Sequence, residues 1–226
     1  MVDHQVLLGN SSALLDDPAE YISVIGSMPY LLFTRTDIAY AANKISQYMH
    51  HLLEDHCLAA KRVLRYLDGT QKMGFFFSAF NLMTVHAFSD AEWAGDKDNY
   101  ISTSAYLVYV GKHLVSWSSK NQKTVAHSST KADYKSISAT SSEVEWVMTL
   151  LGEPGFSSSK PPVIYCNNIG ANYLCVNPIF HSRMKHVAVD YHLICDIVQS
   201  GLLRVQHVTL ADQLVDTLTK PLFGSS

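Results

Sequence analysis

VHAFSDAEWAGDKDNYISTSAYLVYVGKHLVSWSSKNQK, Val85 to Lys123, is the stretch on which the fold turns. Apolar residues alternate with polar or aromatic ones near Val85–Ser89, Ala105–Val110 and Leu114–Ser118, the period of half-buried strands. Gly111-Lys112 is a natural two-residue hairpin turn between the last two. Asp90 stands where the first strand ends, and a carboxylate on a rigid strand end can hold a divalent ion within reach of substrate.

Downstream, helix and strand alternate. Ser128-Ser129-Thr130 caps a long helix to about Leu151, with Ile137, Val144, Val147, Met148 and Leu151 as its core positions. Pro154-Gly155 stops it, and Val163–Cys166 reads as a buried strand leading into a short helix. A helix from His186 to Gln199 stops at Gly201, Leu203–Val208 is a strand, and Ala211–Thr219 is the last helix. Three successive strands followed by alternating helix and strand define an α/β architecture, a mixed five-stranded sheet with flanking helices.

Upstream the pattern is helical. Asp17-Pro18-Ala19-Glu20 is a helix start with cap, proline and acid in order. A second helix opens at Thr36-Asp37, with Ile38, Ala41, Ala42, Ile45 and Met49 on one face. A third runs from Leu53 to Asp68 and ends on Gly69 as a left-handed cap, with Cys57, Ala60, Leu64 and Leu67 inward and Lys61, Arg62 and Arg65 on a solvated face. Gly74–Phe77 reads as a short strand. The composition shift at Gly69–Asn81 divides the chain into a small mostly helical region, residues 1–82, and a sheet domain, residues 83–226.

Composition bounds the function. Hydrophobic residues make up 47% and charged residues 16%, which supports a folded core, and the net charge of -3 restricts any nucleic-acid contact to a local patch. Cys57, Cys166, Cys175 and Cys195 form no CxxC pair, which suggests buried thiols in a reducing compartment. No signal peptide or membrane-spanning stretch is evident, so the expectation is an intracellular protein, cytoplasmic or nuclear, with no membrane partner.

The segments TRTDIAYAANKISQYMH, AAKRVLRYLDGT, FSDAEWAGDKD, STSAYLVYVG, LVSWSSKNQKTVAHSSTKADY, IYCNNIGA, NPIFHSRMKH and ADQLVDTLTKPL occur in an order that resembles the end of a copia-type retrotransposon polyprotein. The resemblance covers the tail of the reverse transcriptase and the ribonuclease H domain. It implies a ribonuclease H-like fold after a reverse transcriptase remnant, with four acids holding two magnesium or manganese ions about 4 Å apart to cleave the RNA strand of an RNA–DNA hybrid. Carried over by motif, the acids fall on Asp90, Asp133, Asn167 and Asp216. No YVDD-like motif appears, so the polymerase's own site is absent from this stretch.

Two of those positions depart from the family pattern. Asn167 replaces an aspartate, so a metal is offered one neutral amide oxygen beside an NH2 group. Asp133 replaces a glutamate and is one carbon shorter, and misplacement of roughly 1 Å at a reacting centre costs about 10²-fold in rate. Metal ligation then rests on Asp90, Asp133 and Asp216. Tyr100 and Ile101 stand where the family tends to carry basic residues, and Ala105 replaces a glycine. The expectation is a ribonuclease H-like protein that is weakly active or inactive. The alternatives are a non-catalytic nucleic-acid-binding module or a recruited, effector-like protein acting through protein contacts.

Lys120, Lys123, Ser128 and Asn168 are the candidate nucleic-acid contacts, lysines for phosphates and polar side chains for a 2′-hydroxyl. Glu92 and Asp96 read as solvated turn carboxylates. His181, His186, His192 and His207 match no zinc spacing, and Trp93, Trp117 and Trp146 read as core or cap residues.

Overall fold

The computed structural model describes residues 13–14, 19–156, 158, 160–177 and 188–220, without the side chains of Glu20 and residues 188–193. Two compact units are present: Met1–Phe76 with Lys97–Asn99 and Lys220–Ser226, and Phe77–Asp96 with Tyr100–Thr219.

The first unit is helical: α1 (Ala19–Leu31), α2 (Ala39–Ser46) and α3 (Glu54–Gly69). Tyr21, Ile25, Met28, Ile38, Ala42, Ile45, Ala60 and Val63 form its core. Asp17 and Pro18, the cap assigned to α1, lie outside the described residues. A 3-10 turn, Thr36–Ile38, leads into α2. Arg35 holds that turn with a bidentate pair to Asp37 at 3.0 and 2.7 Å, while Nη1 donates to Thr70 O and Nη2 also donates to Thr70 Oγ1. On α3 the inward residues are His56, Ala60 and Val63, while Leu64, expected inside, is exposed. The buried set runs at i, i+4 and i+7, and Leu64, at i+8, falls at the edge of that stripe. Gly69 is the last helical residue and has no positive φ. The expected left-handed cap is replaced by Thr70, whose hydroxyl donates to Tyr66 O at 2.6 Å.

The second unit carries the whole sheet: β1 (Val85–Glu92), β2 (Thr103–Val110), β3 (His113–Asn121), β4 (Val163–Cys166) and β5 (Arg204–His207), in the order β3-β2-β1-β4-β5. β1–β2–β3 is an antiparallel meander, and β4 and β5 join β1 in parallel. The helices are α4 (Ser129–Gly152), α5 (Ile169–Val176), α6 (Ala188–Gln199) and α7 (Asp216–Thr219). Tyr134, Ile137, Val144 and Val147 of α4 pack with Val85, Ala87, Val108, Ile164, Cys175 and Ile194 in one core. Burying each such side chain contributes roughly 1.5–3 kcal/mol. Ser128 Oγ accepts from Lys131 N at 3.3 Å to cap α4, and at its other end Gly155 has φ +85° with Phe156 N donating to Leu151 O.

Gly111 has φ +58°, and an added Cβ would collide with the Asn81 side chain and the Leu82 carbonyl. Asn81 clasps this hairpin from both sides, donating to Val110 O at 2.7 Å and accepting from Lys112 N at 2.8 Å.

Several expectations change. Gly74–Phe77 is not a strand; Phe76 is 87% exposed, and no strand pairs with the segment. Residues 211–219 are not one helix but a 3-10 turn, Leu210–Asp212, followed by α7. Gln213 breaks it in an extended conformation and donates Nε2 to Ser89 O at 3.0 Å, tying the turn to β1. Asp96 is buried, with its backbone bonded to Ile101 O and Tyr100 N, and is no solvated carboxylate. Trp93 and Trp146 are about half exposed rather than core residues; Trp93 Nε1 donates to the loop carbonyl of Ala126 at 2.8 Å. Of the four histidines, His181 and His186 lie outside the described residues, the side chain of His192 is not described, and His207 is exposed on β5.

Candidate active site

Asp90 sits near the end of β1, the central strand, opposite Ala105 of β2, which in turn faces Ser119 of β3. It is only 4% exposed, as is Asp133. A buried carboxylate needs donors, and each has them. Thr219 Oγ1 donates to Asp90 Oδ2 at 2.7 Å. Asp133 Oδ1 accepts from Ala91 N at 3.0 Å, and its Oδ2 accepts from Asn168 Nδ2 at 2.8 Å.

Asp133 is the fifth residue of α4, which is held against β1 by hydroxyls. Ser136 Oγ donates to Asp90 O at 2.8 Å, and Ser89 Oγ donates to Ser136 Oγ at 3.0 Å. Small residues at these positions let helix and strand approach closely. Asn168 is equally fixed. Its Oδ1 accepts from Ala171 N at 3.1 Å as the cap of α5, which leaves the NH2 group for Asp133.

Cys166, the last residue of β4, lies close to both acids. Burial pushes its thiol up to about 12, with the charges of Asp133 and Asp90 adding to the shift and a hydrogen bond from Asn168 N opposing it. Its thiol is a neutral filler there.

Asp133 bonds the amide that follows Asp90, so both acids lie at the same end of β1. Asn167 and Asp216 reach the same end of the sheet through their neighbours. Asn167 stands between Cys166 and Asn168, and Asp216 opens α7 one turn before Thr219. Lys120 and Lys123 are exposed. Lys120 pairs with Ser104, one position beyond the Asp90–Ala105–Ser119 row. Ser128 and Asn168 have their side-chain oxygens engaged as helix caps.

Thr219, Ser136 and Gln213 belong to this network and were not singled out from sequence, and Cys166 was read there only as a buried thiol. Thr219 had a signal, standing three residues after Asp216 in DTLT. Ser136 had none, because a serine within a helix pattern reads as a surface residue.

This donor set does not fit the pair of dications that the family resemblance implies. Among the described residues no group of three or more His, Cys, Asp or Glu side chains is placed to hold a metal ion. Both oxygens of Asp133 already take N–H donors, and the third position is a neutral amide.

An antiparallel meander extended by two parallel strands, with a capped helix laid across its central acid, is the ribonuclease H fold. The structure of the foamy viral protease-reverse transcriptase in complex with RNA/DNA hybrid has the same fold at a TM-score of 0.50 and 11% identity, covering 95% of this chain and 27% of that one. No family model matches the sequence. The retrovirus-related Pol polyprotein from transposon RE1 of Arabidopsis thaliana is 58% identical over 212 residues, 94% of this chain and 14% of the polyprotein. The secreted RxLR effector protein 161 of Plasmopara viticola is 41% identical over 128 residues, 56% of this chain and 90% of that one. The chain belongs to the copia-type family of retrovirus-related transposon Pol polyproteins. It spans about one seventh of the length of the RE1 polyprotein. Among the described residues no helix is long and apolar enough to cross a membrane.

Proposed function

We propose that this chain is a ribonuclease H-like module of a retroelement that engages RNA–DNA hybrids and cleaves them very slowly or not at all. The observation that carries the reading is the state of the second and third acid positions. Asp133 is engaged by Ala91 and Asn168, and Asn167 brings no charge. Magnesium or manganese, if bound here, would be held by Asp90, Asp133 and Asp216. Here the cluster lacks the charge to neutralise two dications.

Binding is a separate property. Lys120 and Lys123 stand exposed near the row that carries Asp90 and supply phosphate contacts, each adding about one unit to the salt dependence of affinity. The test is single-turnover cleavage of a labelled hybrid in magnesium and in manganese, with binding followed separately across a salt series. Slow or absent cleavage with salt-dependent binding supports the reading. Fast cleavage overturns it.

The likeness to a secreted effector favours a second reading, a module acting through protein contacts. In that case hybrid binding is absent at all salt concentrations.

A further inference from the structure

We infer that Asp133 is a structural clamp whose partners are Ala91 and Asn168, and that this acid cluster is stable with no cation. The inference takes from the preceding reading only the identity of Asp133 as the second acid position.

Three elements meet on one carboxylate. Asp133 is on α4, Ala91 is in β1 directly after Asp90, and Asn168 caps α5. Its two oxygens each accept one N–H, at 3.0 and 2.8 Å, in a position 4% exposed. Charge-assisted hydrogen bonds of this kind are about twice as strong as neutral ones. The Asn168 amide cannot turn over without cost. Its oxygen faces the Ala171 amide and its nitrogen faces Asp133, so a flip breaks both bonds at once.

A metal-binding acid cluster behaves in the opposite way. Its carboxylates repel each other until a cation arrives, so removing one raises stability in chelator, and magnesium raises the melting temperature. The clamp gives the reverse sign on both counts. Removing the carboxylate strands the buried Ala91 amide and takes the partner from the half-buried Asn168 NH2 group. Asp133→Asn keeps an oxygen for Ala91 but sets its NH2 group against that of Asn168.

The experiment is thermal melting of the full chain in EDTA and in about 10 mM magnesium chloride. Unmodified protein, Asp133→Ala and Asp133→Asn are compared. The expected result is a melting temperature that moves by less than about 1 °C with magnesium and falls by about 5 °C or more in Asp133→Ala, with a smaller fall in Asp133→Asn. Should Asp133→Ala fail to fold, the Asn variant carries the measurement. A rise in melting temperature on removing the carboxylate, or a magnesium-dependent rise of several degrees in unmodified protein, would overturn the clamp. Fast hybrid cleavage alone would overturn the weak-activity reading and leave the melting pattern as the test of the clamp.

Discussion

Thr219 and Asp90 are 129 residues apart in the chain, yet the Thr219 hydroxyl donates to Asp90 Oδ2 at 2.7 Å. Thr219 is fully buried, and Ser119 Oγ donates to Leu218 O beside it at 2.7 Å, so the short helix α7 is fastened to the sheet by polar contacts at both residues. Replacing Thr219 with Val keeps the shape and removes the donor. Stability should fall by about 2 kcal/mol, the usual scale for a buried hydrogen bond to a charged group. The control Thr217→Val, at an exposed position, should change it by less than about 0.5 kcal/mol. Urea titration followed by circular dichroism measures both.

Asn167→Asp should recover more hybrid cleavage than Asp133→Glu. The first change restores a whole negative charge, whereas the second restores only reach. The double variant should depart from additivity, as neighbours in one site do. Single-turnover rates of the unmodified chain and the three variants decide it. Equal gains from the two single changes would count against the ordering.

Gly111→Ala should cost about 2 kcal/mol or more. The position has φ +58°, and the new methyl group collides with Asn81 and the Leu82 carbonyl. Gly26→Ala meets open space, lies inside α1 and should be neutral or mildly stabilising. Differential scanning calorimetry of the two variants makes the comparison, and an unchanged melting temperature for Gly111→Ala would show the hairpin to be pliable.

Stability should decline in alkaline solution. Burial raises the Cys166 thiol from its ordinary value near 9 to about 12, and burial raises Cys175 further. The folded state therefore holds these protons more tightly than the unfolded chain does. The contribution is flat below pH 9 and is lost as pH rises from 9 toward 12. Melting curves at a series of pH values test the sign. In native protein at pH 8, Cys57 should be alkylated before Cys166 and Cys175, since it is partly exposed and they are buried.

Chymotrypsin should cut first between residues 75 and 83. Phe76, Phe77, Phe80 and Leu82 are 87%, 64%, 90% and 74% exposed and lie in no helix or strand. First cuts inside α4 or β1 would be inconsistent with the division at Phe76.

The meander was legible because alternation, the Gly111-Lys112 turn and the Ser128 cap are each local signals. Asp90 was legible for the same reason, as an acid at a strand end. What escaped the sequence was governed by distant partners. Gln213 leaves the helical pattern to bond Ser89, so Ala211–Thr219 could not be read as broken from its own residues. Gly74–Phe77 has strand-like composition but no strand beside it, and pairing is not written into one segment. Asp96 looked solvated because turn acids usually are. Asn168 passed as a surface contact because its two hydrogen-bond partners lie on different helices.

The last ladder pair of β4 is Cys166 with His207, so Asn167 stands just outside the rungs. Sheet pairing places no demand on its side chain, and neither the β4 core residue before it nor the helix cap after it depends on whether that side chain is an acid or an amide. An exchange there alters no ladder pair and no cap bond. A cell's proteases, which respond to unfolded chain, have no means of noticing it. Under the proposed reading, one uncharged residue at this position removes a ligand charge and leaves the ladder and the cap as they are, a shell available for other employment.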